Sequence, residues 1–269
     1  MNSKIEISES ERTESFLAPA TIDSADTNFD QHGALWIKNV FSRDLIQSLA
    51  ASYQKKYVSL SKKELRKRNA CVGDQRFMIT VDVKGAFNDP GLYASPILLP
   101  ILQKLLSVNC RIASFGSVVA FPGAGDQAIH LDHPPLFPST ETCDSLSPYA
   151  ITVVIPLADI EPEMGTTAIW EGTHRGGEER LKQVQSLMDS PNFAGAAQPT
   201  PRMGDAYLMD YRVIHGGMAN RSESVRPILY LVYARPWFRD GFNFGDQKAI
   251  SISKKQLGKV PKEFRFLFS

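Results

Sequence analysis

A chain of 269 residues, 43% hydrophobic and 22% charged, has the composition of a soluble globular protein with a sizeable core. Thirty Lys and Arg against twenty-nine Asp and Glu leave a net charge of +1, which excludes the strongly basic balance of a protein built around nucleic acid or an anionic membrane surface. Its three cysteines, Cys71, Cys110 and Cys143, are odd in number and far apart, so neither a disulfide framework nor a CxxC zinc pattern is expected, and the setting reads as reducing and cytoplasmic.

The N-terminus, MNSKIEISESERTESF, is polar and has no apolar core of the kind a signal peptide needs. Residues 1–20 read as a flexible arm and 21–269 as one domain. ALWIKNV (34–40) reads as a strand, and Ser42 is a plausible N-cap for a helix over 43–60, where Leu45, Ile46, Leu49 and Tyr53 recur at helical spacing. The basic run SKKELRKR (61–68) reads as a solvated helix face, since no second basic tract reinforces it. RFMITVDV (76–83) alternates like a strand, and SPILLPILQKLLSV (95–108) is an apolar-striped helix too short and interrupted to cross a bilayer.

Beyond residue 110 the pattern turns to short strands divided by Gly, Pro and Asp. They run over 111–121, 127–131, 149–157, 166–170, 205–210, 212–215 and 228–236, with one helix at 177–189. Helices first and antiparallel-looking strands afterwards predict a mainly β fold with bracing helices. Its core would be a double-stranded β-helix of the jelly-roll or cupin-like kind.

Five histidines occur, and two of them stand in QAIHLDHPPLF (127–137). On a strand, residues i and i+2 share a face, so His130 and Asp132 would present an imidazole and a carboxylate side by side while His133 points away. An HxD tripeptide alone is more often a hydrogen-bonded turn than a ligand pair. His215, at the end of the apolar run RVIH, supplies a third donor, and two His with one carboxylate make the facial triad of non-haem iron(II) sites. Arg226 follows eleven residues later at the mouth of the next strand. A guanidinium suited to bidentate grip on a carboxylate, one strand from an iron site, is what a 2-oxoglutarate co-substrate requires.

The stretches QAIHLD (127–132), MGTTAIWEGTHR (164–175) and GDAYLMDYRVIHGGMANRSESVRP (204–227) together resemble the phytanoyl-CoA dioxygenase-like family of Fe(II)/2-oxoglutarate-dependent oxygenases, in its small-molecule tailoring branch. The resemblance covers roughly residues 30–240. It implies that His130, Asp132 and His215 are the catalytic iron ligands and that Arg226 binds the distal carboxylate of 2-oxoglutarate. Gln127 and Thr167 match positions that touch the co-substrate in related members, and Arg76 is a candidate second cationic contact. The cofactors implied are Fe(II), 2-oxoglutarate and O2. His174, in EGTHR, falls where the family carries a structural histidine. Family members that halogenate have a small residue in place of the carboxylate. The presence of Asp132 therefore favours hydroxylation, desaturation or oxidative dealkylation of a small organic metabolite in a biosynthetic pathway, with release of succinate and CO2.

For the substrate, the proline-rich loop 133–149 reads as a lid, and Phe137, Tyr149, Trp237 and Phe238 are candidates for an apolar wall. No partner beyond a small-molecule substrate is expected, neither nucleic acid nor membrane, and the chain would act as a monomer or homodimer. Two other readings keep the same sandwich: a cupin-like metal enzyme that does not use 2-oxoglutarate, for which Arg226 has no particular task, and a non-catalytic metabolite-binding relative.

Overall fold

In the computed structural model, residues 1–60, 70–137, 140–245 and 247–269 are described, and the basic run 61–68 lies outside them. Among the described residues, the larger sheet has eight strands. Their order is β1 (Lys4–Glu6), β2 (Ala34–Lys38), β8 (Ala206–Asp210), β6 (Ala150–Pro156), β10 (Arg226–Ala234), β5 (Arg111–Ala120), β4 (Arg76–Thr80) and β3 (Ala70–Cys71). All neighbours pair antiparallel except β1 with β2. The smaller sheet pairs β7 (Thr167–Ile169) with β9 (His215–Gly217), and a single bridge from His130 to His215 adds the HxD segment to its edge. This is the expected jelly roll, mainly β and braced by helices.

Alternation along the central strands decides which face does what. In β10, Leu229, Leu231 and Tyr233 enter the main core, while Arg226, Ile228, Tyr230 and Val232 face a cavity on the other side. The same parity holds in β6, where Ile151, Val153 and Ile155 are core and Thr152 and Val154 line the cavity. In β4 it separates Phe77 and Ile79 from Arg76 and Met78. One face of the large sheet is therefore closed by helices, and the other looks across at the small sheet.

The bracing layer comprises α2 (Pro19–His32), α3 (Arg43–Tyr53) and α4 (Leu98–Leu105), after a short α1 (Glu9–Glu14). Ser42 caps α3 by accepting the Leu45 N–H at 3.2 Å, and Ile46, Leu49 and Tyr53 bury its inner face. Helix α4 opens at Leu98 rather than Ser95, and the Ser95 hydroxyl accepts the N–H groups of Ile97 and Leu98 in the turn that leads into it. Two further helices, α5 (Thr140–Ser145) and α6 (Gly177–Asp189), pack on each other away from this layer.

Three expectations need correction. Residues 1–20 are not a loose arm: β1 joins the large sheet beside β2, and Ser8 and Glu11 form a capping box on α1. The strand expected at 212–215 begins only at His215, because Val213 N–H donates to Asp210 C=O and Arg212 folds back onto the Asp210 carboxylate, turning the chain. QAIHL (127–131) is not a continuous strand but an extended segment holding one bridge, at His130. Helix α2, unforeseen, buries only Ala25 and Phe29, so its apolar periodicity is faint despite Pro19 at its start and a left-handed Gly33 at its end.

Candidate active site

His130 and His215 are directly opposed in the bridge, each backbone N–H donating to the other's carbonyl at 2.9 and 3.0 Å. Residues so paired project to the same side, and the two imidazole centroids lie 4.3 Å apart. Each ring is then fixed by the same device. Nδ1–H of His130 donates to the Ala128 carbonyl at 2.7 Å, and Nδ1–H of His215 donates to that of Val213 at 3.0 Å. With the proton held on Nδ1, each Nε2 keeps its lone pair for a metal.

Asp132 completes the set. Its Oδ2 accepts a hydrogen bond from Thr152 Oγ1 at 2.8 Å, and its Oδ1 stands 3.4 Å from His215 Nε2. One donor atom from each of the three residues lies within 4.8 Å of the others. Two imidazole nitrogens and one carboxylate oxygen, each oriented by an outer hydrogen bond, fit an iron(II) ion with positions left open for co-substrates. Burial, with the neighbouring His215, pushes His130 down to about 4, so it is neutral at physiological pH. Burial alone would raise Asp132, but His215, His130 and Thr152 outweigh it and hold the carboxyl below its ordinary range.

The cavity these residues face has a volume of about 480 Å³ and runs between the two sheets. Arg226 and Arg76 enter it from the same side. Both pair with Ala120 of β5, one from each flank, so they stand in one row across three strands, about 10 Å apart at the backbone. Arg226 Nη1 donates to the Gly165 carbonyl at 2.9 Å. Arg76 Nη2 donates to the carbonyls of Gly125 (2.9 Å) and Met218 (2.8 Å). Among the described residues neither guanidinium forms an ion pair, and Arg76 Nε and Nη1 and Arg226 Nε have no hydrogen-bond partner; the nearest carboxylate acting on Arg76 is that of Asp126. Burial, with Arg226 nearby, lowers Arg76 to about 9, which leaves it a cation at neutral pH. Two buried guanidinium groups with unspent donors on one cavity wall have the chemistry to accept an anion.

Gln127 is turned inward by pairing with β9: its N–H donates to the Gly217 carbonyl at 2.7 Å, and its Oε1 accepts the Gly217 N–H at 3.3 Å. It lines the cavity, as does Thr167, whose hydroxyl shares a 2.7 Å hydrogen bond with Tyr207. His133 stands off the site, its Nδ1 on the Pro134 carbonyl and its ring against Phe238 and Phe242. His174 Nε2–H donates to the Asp30 carbonyl at 3.1 Å while the ring packs over Gly33, a structural placement.

The four aromatics expected as a substrate wall do not line the cavity. Tyr149 and Phe238 are buried one layer behind it, their rings packed at a tilt on each other, with Phe238 meeting Tyr211 edge to face. Phe137 and Trp237 turn outward, 45% and 58% exposed. The observed wall is instead Met78, Ser114, Val118, Tyr211, Tyr230, Val232, Asn243 and Phe244. In the expected lid, the described part is anchored: Arg212 donates to the carbonyls of Cys143 and Leu146, both at 2.9 Å, and Asp144 Oδ2 accepts the N–H groups of Gly176 and Gly177 at the start of α6.

Residues 29–228 match the family model described as phytanoyl-CoA dioxygenase (PhyH). The chain belongs to the phytanoyl-CoA dioxygenase family. It is an Fe(II)- and 2-oxoglutarate-dependent oxygenase that takes O2 as its other co-substrate. Solved structures share the fold at low identity. HygX from Streptomyces hygroscopicus, with nickel and 2-oxoglutarate bound, is 16% identical with a TM-score of 0.61 over 83% of this chain and 89% of that one. A second HygX structure also holds hygromycin B, at 17% identity and a TM-score of 0.60 over 83% and 90% of the two chains. SnoN, a non-haem α-ketoglutarate-dependent epimerase from nogalamycin biosynthesis, is 15% identical with a TM-score of 0.61 over 84% and 89%. No helix among the described residues is long and apolar enough to cross a membrane.

Proposed function

We propose that this oxygenase oxidises a compact organic metabolite in a biosynthetic pathway of the cytoplasm, by hydroxylation, desaturation or oxidative dealkylation. His130, Asp132 and His215 would hold the iron, and Arg226, with Arg76, Gln127 and Thr167 around it, the 2-oxoglutarate. The observation that carries this reading is one cavity with two His and one Asp grouped as a facial triad at one wall and, at another, two buried arginines that form no ion pair among the described residues. A metal enzyme working without an anionic co-substrate has no use for the second feature, since burying a guanidinium without a counter-ion costs stability.

When bound, iron with 2-oxoglutarate and O2 supplies the oxidising power to remove a substrate hydrogen, 2-oxoglutarate leaving as succinate and CO2. The chain does the rest. Arg226 Nη1 is braced on Gly165, which aims the guanidinium into the cavity and spares the side chain from reorganising when a carboxylate arrives. Met78, Val118, Val232 and Phe244 keep the reacting region dry, while Ser114, Tyr230 and Asn243 offer a few polar points for orientation. A volume of about 480 Å³, shared with the co-substrate, favours a compact substrate or the inserted end of a larger one.

The presence of hygromycin B in one relative and the nogalamycin pathway of another support a natural product as substrate class. SnoN is an epimerase, so hydrogen removal without oxygen transfer belongs among the outcomes to screen. The decisive experiment is anaerobic reconstitution with Fe(II) and 2-oxoglutarate, followed by admission of O2 and quantification of succinate. The expected result is a visible absorption band that needs both additions, and O2-dependent succinate formation. Equal turnover of candidate metabolites with and without 2-oxoglutarate overturns the reading.

A further inference from the structure

Asp132 is gripped at every polar atom but one. Its N–H donates to the Tyr211 carbonyl at 3.2 Å, its Oδ2 accepts from Thr152 Oγ1 at 2.8 Å, and its backbone carbonyl accepts from Asn243 Nδ2 at 2.7 Å. Among the described residues, only Oδ1, the atom turned to His215, has no hydrogen-bond donor from outside the triad. Thr152 and Tyr211 belong to the jelly roll itself, in β6 and just after β8. Asn243 does not. It lies in the segment following β10, beyond residue 228 where the family match ends.

That segment is organised by Asp240. Its Oδ1 accepts the backbone N–H groups of Phe242 and Asn243, each at 3.0 Å. Its Oδ2 accepts the Asn243 amide at 2.9 Å and the Tyr211 hydroxyl at 3.3 Å. Both amide hydrogens of Asn243 are thereby committed, one to Asp132 C=O and one to Asp240 Oδ2. Both partners are acceptors, so the amide cannot be reversed, and the side chain is locked between the loop and the metal ligand. Asn243 and Phe244 line the cavity, so this lock stands in the cavity wall beside Asp132.

We propose that Asn243 is a positioning residue for Asp132, fixing the backbone of the HxD segment so that the free carboxylate oxygen stays available to a metal, and that Asn243 and Phe244 form part of the substrate-side wall of the cavity. The inference rests on the reading of Asp132 as an iron ligand. A displacement of about 0.5 Å in a ligand's supporting shell is enough to loosen a site, and loss of an outer-shell partner typically weakens metal binding 10–100-fold.

The test is anaerobic Fe(II) titration of the full chain, together with the energy of the absorption band formed by Fe(II) and 2-oxoglutarate. The set comprises wild type, Asn243→Ala, Asn243→Asp and Asp132→Ala, each checked for folding by circular dichroism. Asn243→Asp keeps the shape but opposes a carboxylate to two acceptors, so it serves even if the alanine variant folds poorly. The expected result is at least a tenfold loss of Fe(II) affinity in both Asn243 variants, with a displaced band and native secondary structure. Affinities within twofold of wild type and an unmoved band, while Asp132→Ala loses the metal, overturn the role of Asn243 alone. If Asp132→Ala also binds as wild type does, the ligand assignment falls and this inference with it.

Discussion

The imidazoles of His130 and His215 are brought together by the backbone, through a two-way bridge whose N–H groups and carbonyls pair at 2.9 and 3.0 Å. The bridge does not depend on either side chain. Replacing a ring by Ala should therefore leave the pairing intact while deleting a donor. We expect His130→Ala, His215→Ala and Asp132→Ala to keep native circular dichroism and a melting temperature within a few degrees of wild type, yet to form succinate only at background. Wild-type turnover in any of them, with iron supplied, removes that residue from the ligand set.

Arg226 and Arg76 stand in one row, but different consequences follow from losing each. Hydrogen bonds to charged groups are worth about 1.5–3 kcal/mol, so Arg226→Ala should raise the KM for 2-oxoglutarate roughly 10–150-fold with a smaller change in kcat. Arg226→Lys should recover part of this, lacking the bidentate fork. Arg76 is fully buried with two nitrogens unpartnered among the described residues, and such a cation costs stability until an anion arrives. Arg76→Met should therefore weaken 2-oxoglutarate binding while leaving the melting temperature of the ligand-free protein equal or higher. A drop of more than a few degrees speaks for a purely structural arginine.

The jelly roll and the grouping of His130, Asp132 and His215 are legible because both depend on short-range pattern: period-two alternation, an HxD, and a histidine ahead of Gly-Gly. The cavity wall was written in the same alternation yet is easily overlooked. Once Arg226 is placed, every second residue of its strand, Ile228, Tyr230 and Val232, has to face the site, and Met78 follows from Arg76 in the same way. Loop aromatics such as Trp237 are poorer candidates, since nothing local fixes the direction in which they point. Thr152 is signalled only as a lone hydroxyl in an apolar strand. Asn243 has no local signature at all, because its meaning lies in a contact with Asp132, 111 residues away.

The N-terminal elements carry a pH dependence of their own. Burial disfavours the charged form of Glu11, but hydrogen bonds from Thr21, from the Ser8 hydroxyl and N–H, and from the Ala18 N–H outweigh it and bring the carboxyl from 4.5 to about 2. A folded pKa below the unfolded one means stability that is fully present above about pH 4.5 and lost as pH falls toward 2. Glu11→Gln should thus melt below wild type at pH 7, and the gap should close across that acid window. A gap that stays constant from pH 7 to pH 2.5 rules out the carboxylate as its source.

Gly217 offers the sharpest test of the anion receptor, because it touches the arginine without touching the triad. A Cβ on residue 217 would stand 2.5 Å from Arg76 Nη1 and 3.0 Å from Gln127 Oε1. Its backbone is not left-handed, so Ala is free of conformational strain and the effect is steric alone. His215, two residues earlier in β9, keeps its bridge to His130. Gly217→Ala should accordingly bind Fe(II) like wild type but require a severalfold to tenfold higher 2-oxoglutarate concentration for half-maximal succinate formation. Adding Arg76→Met, which withdraws the guanidinium from the clash, should make the alanine nearly silent. Strict additivity of the two substitutions in a double-mutant cycle would separate Gly217 from Arg76.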